Sequence, residues 1–357
     1  MPRSISRRVV YACLPLLALF LLGECAGRLL EKTTNYTPRR RAGFVQQSPY
    51  VRGALVPGAS FRSGEMQITV DELGFRGDGV TPTKPPGVFR IVALGGSSTF
   101  GWKGIPGHGQ AWPALLETEL QARTGRAVEV INAGVPGWSS VESRVSLLLR
   151  VQRLDPDAVL LYHGNNDIDW SHRPGVGDGP MYARDLLDSS HGFFDRLLDT
   201  SYVLMELRSR WLFLNRSRGT HDDVDPAALS MLRWNLEEVI TDARARGLHL
   251  AVGSYANAVD ETAAAGEFSD DERALGIPSM GRWFAHLSVQ GARASFAAHR
   301  GMVQDVAKDE EVLFVDIHGA VPPNTNHFVD WCHLTPEGHK RVAQTWAETI
   351  VAAGWVR

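Results

Sequence analysis

The sequence is short of cysteine and has no marked excess of charge of either sign. Only three of its 357 residues are cysteines. Cys13 and Cys25 lie in or beside an apolar N-terminal run, so Cys332 has no disulfide partner in the rest of the chain. The 37 Lys and Arg residues nearly balance the 40 Asp and Glu residues, and the formal net charge is -3. A disulfide framework and a nucleic-acid partner are therefore not expected.

Long hydrophobic runs are also missing, except for one near the N-terminus. Residues 9–23 read VVYACLPLLALFLLG, follow Arg7 and Arg8, and end at Glu24. The run is shorter than the about 20 residues that a membrane span needs, and slightly long for the core of a signal peptide. Basic residues also follow it, so the charge distribution does not clearly favour export. We nevertheless predict that residues 1–31 are a signal or a membrane anchor and that the rest of the chain is exported, either membrane-held or secreted after cleavage.

The remaining chain divides into a lead segment, residues 32–88, and a larger domain, residues 89–357. The lead segment is rich in Pro, Gly and Arg and has an alternating apolar patch at 66–70. It is predicted to form short strands and loops that pack on the larger domain. An apolar insertion at about 171–225 interrupts the larger domain and is predicted to be helical. It either fills a core of its own or forms a cap over a substrate cleft.

Strand-like and helix-like segments alternate in the larger domain. The predicted strands are 90–94, 128–131, 158–162, 249–253 and 312–315, and amphipathic helical segments lie between and after them. This alternation predicts an α/β fold, a three-layer α/β/α sandwich with a central parallel sheet of about five strands. Ligands of such sheets bind at the carboxyl ends of the strands.

One of these helices has a clear start in the sequence. Ser139 followed by Glu142 is a capping-box signature, in which the two residues satisfy each other's backbone amides. Apolar spacing then predicts which residues of this helix point inward: Val141, Val145, Leu148 and Leu149.

The first predicted strand runs into small residues, in the stretch RIVALGGSSTFG at 90–101. A phosphate-binding loop would need a lysine where Trp102 stands, and the dinucleotide pattern G-x-G-x-x-G is absent. The G-x-S-x-G elbow also fails, because Thr99 lies two residues after Ser97. Taken alone, this stretch could be an ordinary turn.

Three further polar blocks follow at strand ends or before the last helix. They are NAGVPG at 132–137, GNND at 164–167 and DWCH at 330–333. With GGSST, these blocks in this order resemble the SGNH, or GDSL-type, hydrolase family over about residues 90–357. Gly74-Phe-Arg-Gly77 in the lead segment also resembles the leaders of exported members.

The resemblance implies a serine esterase with a Ser-His-Asp triad. Ser97 aligns with the nucleophile and Ser98 with a variable position, while Thr99 supports the turn. His333 would be the base, and Asp330 would hold and orient its ring. The residue chemistry agrees, because a serine hydroxyl needs a neighbouring base, and a carboxylate stabilises the imidazolium that forms.

The resemblance also implies an oxyanion hole. Its donors would be the backbone amides of Ser97 and Gly137 and the side chain of Asn166. Glycine suits such a position because it lets the backbone approach a substrate closely. The sequence departs from the family pattern at Gly96, where many members carry aspartate.

The expected substrates are short-chain O-acyl esters, above all O-acetyl esters, such as those on extracytoplasmic carbohydrate. Trp102 and Trp138 follow two of the blocks and could stack on sugar rings, and His163 could touch the cleft. Each of the three could equally pack the core. The alternatives are a non-catalytic carbohydrate-binding or polysaccharide-assembly protein and a lipase-like or thioesterase-like enzyme of the same fold.

A metal site is a minor alternative. His327, Asp330, His333 and His339 could be drawn as a metal cluster, but Asp330 and His333 already have roles and His339 falls on the last predicted helix. We therefore expect neither a metal nor a cofactor. The sequence leaves the oligomeric state open.

Overall fold

The computed structural model describes residues 7–34, 44–46, 48–51, 53–63, 65–172, 201–214, 220–284 and 286–356. Its first element is helix α1 (Arg7–Thr34), which contains the apolar N-terminal run. Large apolar side chains are exposed along α1, among them Leu16, Leu19 and Leu22. Among the helices of the described residues, none combines the length and the apolar character that crossing a membrane demands.

The lead segment contains two short antiparallel pairs of strands. β1 (Val45–Gln46) pairs with β2 (Ala54–Leu55), and β3 (Ser60–Ser63) pairs with β4 (Met66–Thr69). Their apolar side chains share one cluster with side chains of the larger domain; its buried members are Phe44, Val51, Leu55, Ile68, Val70, Phe100, Val135 and Trp138. The lead segment therefore packs on the loops that follow two strands of the central sheet.

The central sheet has five strands, all parallel. They are β5 (Phe89–Gly95), β6 (Val128–Asn132), β7 (Ala158–Tyr162), β8 (His249–Gly253) and β9 (Leu313–Val315). Their spatial order is β6-β5-β7-β8-β9. The sequence-based prediction of a five-stranded parallel sheet is confirmed, and each predicted strand matches to within one residue at either end.

Helices cover both faces of this sheet. In the part of the chain that the structure describes, the helices after α1 are α2 (Ser97–Phe100), α3 (Trp112–Thr124), α4 (Ser140–Leu149), α5 (Asn165–Ser171), α6 (Tyr202–Leu214), α7 (Pro226–Arg244), α8 (Asp270–Ala274), α9 (Val289–Asp309), α10 (Ile317–Ala320) and α11 (Pro336–Ala352). Short 3-10 helices lie at His108–Gln110, Val151–Leu154 and Ile277–Arg282. Ile91 of β5 packs with α3 and α11, while Val92 packs on the other face with α4 and α7. This alternation follows from the two-residue period of a strand, and it confirms the three-layer α/β/α fold.

The inward face of α4 differs from the prediction. The capping box of Ser139 and Glu142 is present, but Leu149 is 46% exposed, and the buried face carries Ser140, Ser143 and Ser146. The spacing of apolar residues identifies the buried face of a helix only where the side chains that the helix packs on are themselves apolar. Here α4 faces polar side chains that follow β7, so its serines turn inward.

The insertion is described only in part, because residues 173–200 and 215–219 lie outside the described residues. Its helix α6 begins beside α1: the Glu24 carboxylate accepts hydrogen bonds from the Ser201 hydroxyl and from the backbone amides of Tyr202 and Val203. Glu24 thus satisfies amides at the start of α6, as a capping residue does. The predicted cap over the cleft falls mostly on residues outside the described ones.

Candidate active site

The four polar blocks meet at the carboxyl edge of the sheet. Ser97 follows β5 directly, and Asn165 begins α5 just after β7. β5 and β7 are neighbours, whereas β6 lies on the other side of β5. The strand order therefore changes direction beside β5, and ligands of open α/β sheets bind at such a point.

A chain of hydrogen bonds links Ser97, His333 and Asp330. The Ser97 Oγ lies 2.9 Å from the His333 Nε2. The His333 Nδ1 lies 2.9 Å and 2.8 Å from the two carboxylate oxygens of Asp330. With the proton on Nδ1, the Nε2 can accept the proton of the serine hydroxyl. This is the arrangement in which an imidazole activates a serine and a carboxylate holds the imidazole.

Asp330 is held by more than His333. Its Oδ1 accepts hydrogen bonds from the backbone amides of Cys332 and His333, and its Oδ2 lies 2.9 Å from the Lys103 Nζ. Burial opposes the ionisation of this carboxyl. The hydrogen bond and charge of His333, the charge of Lys103 and the Cys332 amide outweigh burial and hold the pKa of Asp330 well below its usual range.

The turn that carries His333 is fixed by α11. Thr335 caps this helix, because its side chain accepts from the Gly338 amide, and Pro336 follows as the first helical residue. The Val329 amide donates to the His333 carbonyl at 2.9 Å. The imidazole therefore projects from a closed turn that ends at a capped helix.

Ser98 is occupied by structural hydrogen bonds. It is 4% exposed, its Oγ lies 2.7 Å from the Tyr255 hydroxyl, and it donates to the Cys332 carbonyl at 2.9 Å. Ser98 thus ties α2 to the turn that carries His333, while the neighbouring Ser97 faces His333. Thr99 is also buried, and its carbonyl oxygen accepts a hydrogen bond from the side-chain amide of Asn132 at 2.9 Å.

Two residues assigned to the oxyanion hole, Gly137 and Asn166, follow β6 and β7. Gly137 has φ +87, which favours glycine, and a Cβ there would meet no atom within 4 Å. Asn166 is the second residue of α5, and its Nδ2 donates to the Trp138 carbonyl at 2.8 Å. The amide side chain is therefore tied to the loop that carries Gly137.

Gly96, where the sequence departs from the family pattern, lies against this amide. A Cβ at Gly96 would be 2.8 Å from the Asn166 Nδ2 and 3.0 Å from the Trp138 carbonyl oxygen. Any side chain at this position would push the two loops apart. Glycine here lets the Ser97 turn lie close to Asn166.

The structure places the two candidate stacking tryptophans against the lead segment. Trp138 is 2% exposed, and its indole N–H donates to the Gly53 carbonyl at 2.7 Å. The Trp102 ring lies 5.6 Å from that of Phe44. Trp138 has no free face for a sugar ring, so its position fits the packing alternative and not the stacking one.

His163 also lies away from an open surface. It is 7% exposed, and its Nε2 is 2.7 Å from the Ser143 Oγ of α4. Its burial leaves no ring face for a substrate. The position again matches the packing alternative.

Three residues beside the site were missed by sequence reasoning: Lys103, Tyr255 and Trp331. The Trp331 indole N–H donates to the Asn165 Oδ1 at 3.0 Å, next to Asn166, and its ring centroid lies 5.8 Å from that of Trp283. Trp331 could have been found, because it stands inside the DWCH block. Nothing local marks Lys103 or Tyr255.

The alternative metal cluster is only partly assembled. Within the part of the chain that the structure describes, donor atoms of Asp330, Cys332 and His333 lie within 4.8 Å of one another. Two of the three already form the link to Ser97, and burial raises the pKa of the Cys332 thiol well above its usual value. His339 lies elsewhere, where its Nδ1 accepts from the Trp112 amide at 3.2 Å.

Comparisons with known proteins identify the family of the chain. No curated protein sequence matches the chain significantly. Among solved structures, a lipase/acylhydrolase from Enterococcus faecalis is 15% identical and covers 74% of this chain and 96% of its own, with a TM-score of 0.46. The acetylxylan esterase Axe2 from Geobacillus stearothermophilus is 16% identical and covers 75% and 96%, with a TM-score of 0.45. The model of the GDSL-like lipase/acylhydrolase family matches residues 93–341, more than half of the chain. The chain therefore belongs to this family and is a hydrolase.

Proposed function

We propose that this hydrolase is a serine esterase whose nucleophile is Ser97. The observation that carries the proposal is the 2.9 Å contact between the Ser97 Oγ and the His333 Nε2, with Asp330 on the far side of the ring. A non-catalytic protein of the same fold would have no need of this alignment.

The proposed reaction has two halves. As the Ser97 Oγ attacks the ester carbon, its proton passes to the His333 Nε2, and Asp330 stabilises the resulting imidazolium without taking the proton. The tetrahedral intermediate then expels the alcohol, which receives that proton, and an acyl-Ser97 ester remains. A water molecule, deprotonated by His333, hydrolyses this ester and restores the hydroxyl.

The negative charge on the intermediate's oxygen would be met by the backbone amides of Ser97 and Gly137 and by the side-chain amide of Asn166. Donors of this kind are worth about 3–4 kcal/mol each in other enzymes. The open space beside Gly137 supports this assignment.

The proposed substrate is a short O-acyl ester, above all an O-acetyl ester, of a bulky alcohol such as an extracytoplasmic glycan. Trp331 lies close to the proposed site, because its indole N–H donates to the Asn165 Oδ1 beside Asn166. Trp283 is 36% exposed and tilted against Trp331, which offers an aromatic surface to a sugar ring.

A second candidate is an enzyme for long acyl chains. Helix α6 of the insertion exposes Leu207 (58%) and Trp211 (63%), which could bind lipid. The two candidates differ in the acyl chain length that they accept.

One experiment tests the chemistry and the nucleophile together. Labelling with a fluorophosphonate, followed by peptide mapping, should modify Ser97. Ser97→Ala should abolish hydrolysis of p-nitrophenyl acetate, whereas Ser98→Ala should retain a substantial fraction. Equal loss in both variants, or loss in Ser98→Ala alone, would overturn the assignment.

The substrate is tested by chain length. We expect p-nitrophenyl acetate to be strongly preferred to octanoate and longer esters, and acetate to be released from acetylated polysaccharide. A rate maximum at eight carbons or more would favour the second candidate.

We also propose that the chain is exported and held at a membrane by α1 unless that segment is cleaved. Leu16, Leu19 and Leu22 are each more than 60% exposed, which is a surface that lipid would cover. The full chain should sediment with membranes, and a chain that starts at Asn35 should be soluble and active. Recovery of the unprocessed full chain entirely in the soluble fraction would refute this proposal.

A further inference from the structure

A cluster of buried polar side chains lies between α4, α5 and α9. Its members are Ser140, Ser143, His163, Asp167 and His299, each no more than 7% exposed. None of them belongs to the chain of Ser97, His333 and Asp330. Burying polar groups is costly unless they are hydrogen-bonded, and members of this cluster are linked by hydrogen bonds.

The carboxylate of Asp167 is the centre of this cluster. It is 1% exposed, and its Oδ1 accepts hydrogen bonds from both the backbone amide and the hydroxyl of Ser140. Ser140 is the first residue of α4, so the carboxylate sits at the N-terminus of a ten-residue helix, where the helix dipole favours a negative charge.

Two histidines, His163 and His299, lie near the Asp167 carboxylate. Burial lowers the pKa of His299 to about 4, although the charge of Asp167 opposes this shift. His299 is therefore neutral at pH 7. The His163 Nδ1 lies 3.5 Å from the Asp167 Oδ2, and the same ring contacts the Ser143 hydroxyl through its Nε2. The backbone amide and hydroxyl of Ser140 thus hold one oxygen of this carboxylate through two hydrogen bonds.

That tie joins the two loops of the proposed oxyanion hole. Gly137 lies three residues before Ser140, on the loop that enters α4, and Asn166 is the neighbour of Asp167 in α5. The Asn166 Nδ2 makes a second tie to the same loop through the Trp138 carbonyl. A shift of α4 relative to α5 would move both donors at once.

We propose that Asp167 is a positioning residue. Its hydrogen bonds to Ser140 hold α4 against α5 and so set the distance between the Gly137 backbone amide and the Asn166 side-chain amide. The inference rests on the proposed function, because it assigns Gly137 and Asn166 to the oxyanion. Asp167 itself touches no reacting atom and acts through these two donors.

The test compares Asp167→Asn and Asp167→Ala with the parent chain on p-nitrophenyl acetate. Displacing both donors should lower kcat by about 10- to 100-fold in Asp167→Ala, with KM changed less than about twofold, since the loss is confined to the transition state. Asp167→Asn keeps an acceptor oxygen and should lose less. Unchanged kcat in both variants would contradict the proposal.

A double-variant cycle separates positioning from a general loss of structure. If Asp167 acts through Asn166, then Asp167→Asn should cost less in an Asn166→Ala background than in the parent chain. If the loss of kcat in the double variant equals the product of the losses in the two single variants, Asp167 acts independently of the oxyanion donors, and the proposal fails.

Glu272→Gln is the matched control. Glu272 is another buried carboxylate, 2% exposed, which accepts from the Ser269 amide and contacts Arg293 far along the chain from both loops. It should lower the melting temperature and leave kcat unchanged. The proposed serine esterase function is tested separately. Full activity in Ser97→Ala would contradict that function, whatever the result for the Asp167 variants.

Discussion

At the scale of single residues, Lys103 has the least expected position. It adopts φ +63, which is uncommon for a residue with a side chain. The next residue, Gly104, packs so closely that a Cβ there would be 2.3 Å from the Leu334 carbonyl oxygen. This loop is therefore pressed against the turn of His333, and the Lys103 Nζ lies 2.9 Å from the Asp330 Oδ2.

Lys103 and His333 share the negative charge of Asp330, and this leads to a pH prediction. Lys103 contributes to the lowered pKa of Asp330, so the carboxylate is ionised throughout the working range. Lys103→Met removes a cation from this carboxylate, which then stabilises the His333 imidazolium more strongly. The acid limb of kcat/KM should move to higher pH. Because Lys103 is half-exposed and exposed pairs are worth about 0.2–1 kcal/mol, we expect a shift of about 0.2–0.7 pH unit.

The measurement is a pH–rate profile at low salt. Lys103→Arg keeps the charge and serves as the control. Its acid limb of kcat/KM should lie at the same pH as in the parent chain. Added salt should shrink the difference between the parent chain and Lys103→Met. An acid limb that stays in place or moves to lower pH in Lys103→Met would show that the lysine does not share the carboxylate's charge.

The residues that could be predicted are those whose partners are close in sequence or share a motif. Asp330 and His333 are three apart, and the structure brings both to Ser97. The role of Gly96 could not be predicted, because its neighbour Asn166 is remote in the chain. For Trp138 the sequence left stacking and packing open, because the lead segment that covers it is remote in the chain.

At the scale of elements, the lead segment supports the loops of the site. Its cluster with Phe100 and Trp138 reaches α2 and the loop before α4. The Gln67 amide also donates to the Pro106 carbonyl, and the Arg76 amide to the Asn132 carbonyl. The segment is thus part of the folded domain and not a loose linker.

Trp138→Phe tests this support. The substitution removes the indole N–H that the Gly53 carbonyl accepts, and it leaves a buried carbonyl unpaired at a cost of about 1–3 kcal/mol. We expect a lower free energy of unfolding in urea, with KM for an acetylated glycan little changed, because the ring has no face toward the substrate. Trp283→Phe, at an exposed ring, is the control and should leave stability unchanged. A raised KM in Trp138→Phe with normal stability would restore the stacking role.

Elements were predictable where their patterning is apolar. The strands of the sheet are mostly apolar, and the regularly spaced apolar residues Val342, Trp346 and Ile350 of the last helix are all buried. Helix α4 was not predictable in the same way. Ser140 and Ser143 contact Asp167 and His163, and no periodicity in the sequence of α4 reveals these polar partners.

At the scale of the whole molecule, helices cover both faces of the sheet, and two of these helices carry a buried histidine with a lowered pKa. His299 is 4% exposed in α9 and His339 is 1% exposed in α11. Burial lowers the pKa of His299 to about 4 and that of His339 to about 3. His339 is also needed as a neutral acceptor, since its Nδ1 receives the Trp112 amide at the start of α3.

These histidines predict how stability depends on pH. In the unfolded chain a histidine binds its proton near pH 6.5, whereas both stay neutral in the fold until about pH 4 or below. The unfolded state therefore holds more protons between these values, and the free energy of unfolding must fall as pH falls, by up to about 1.4 kcal/mol per pH unit for each histidine. Above pH 6.5 their contribution is constant.

Urea unfolding of the full chain at pH 7, 6 and 5 measures the slope. His339→Gln keeps an acceptor for the Trp112 amide but cannot bind the proton, so it should reduce the slope by about one histidine's share. If His339→Gln has the same slope as the parent chain, then His339 binds its proton in the folded protein as readily as in the unfolded chain.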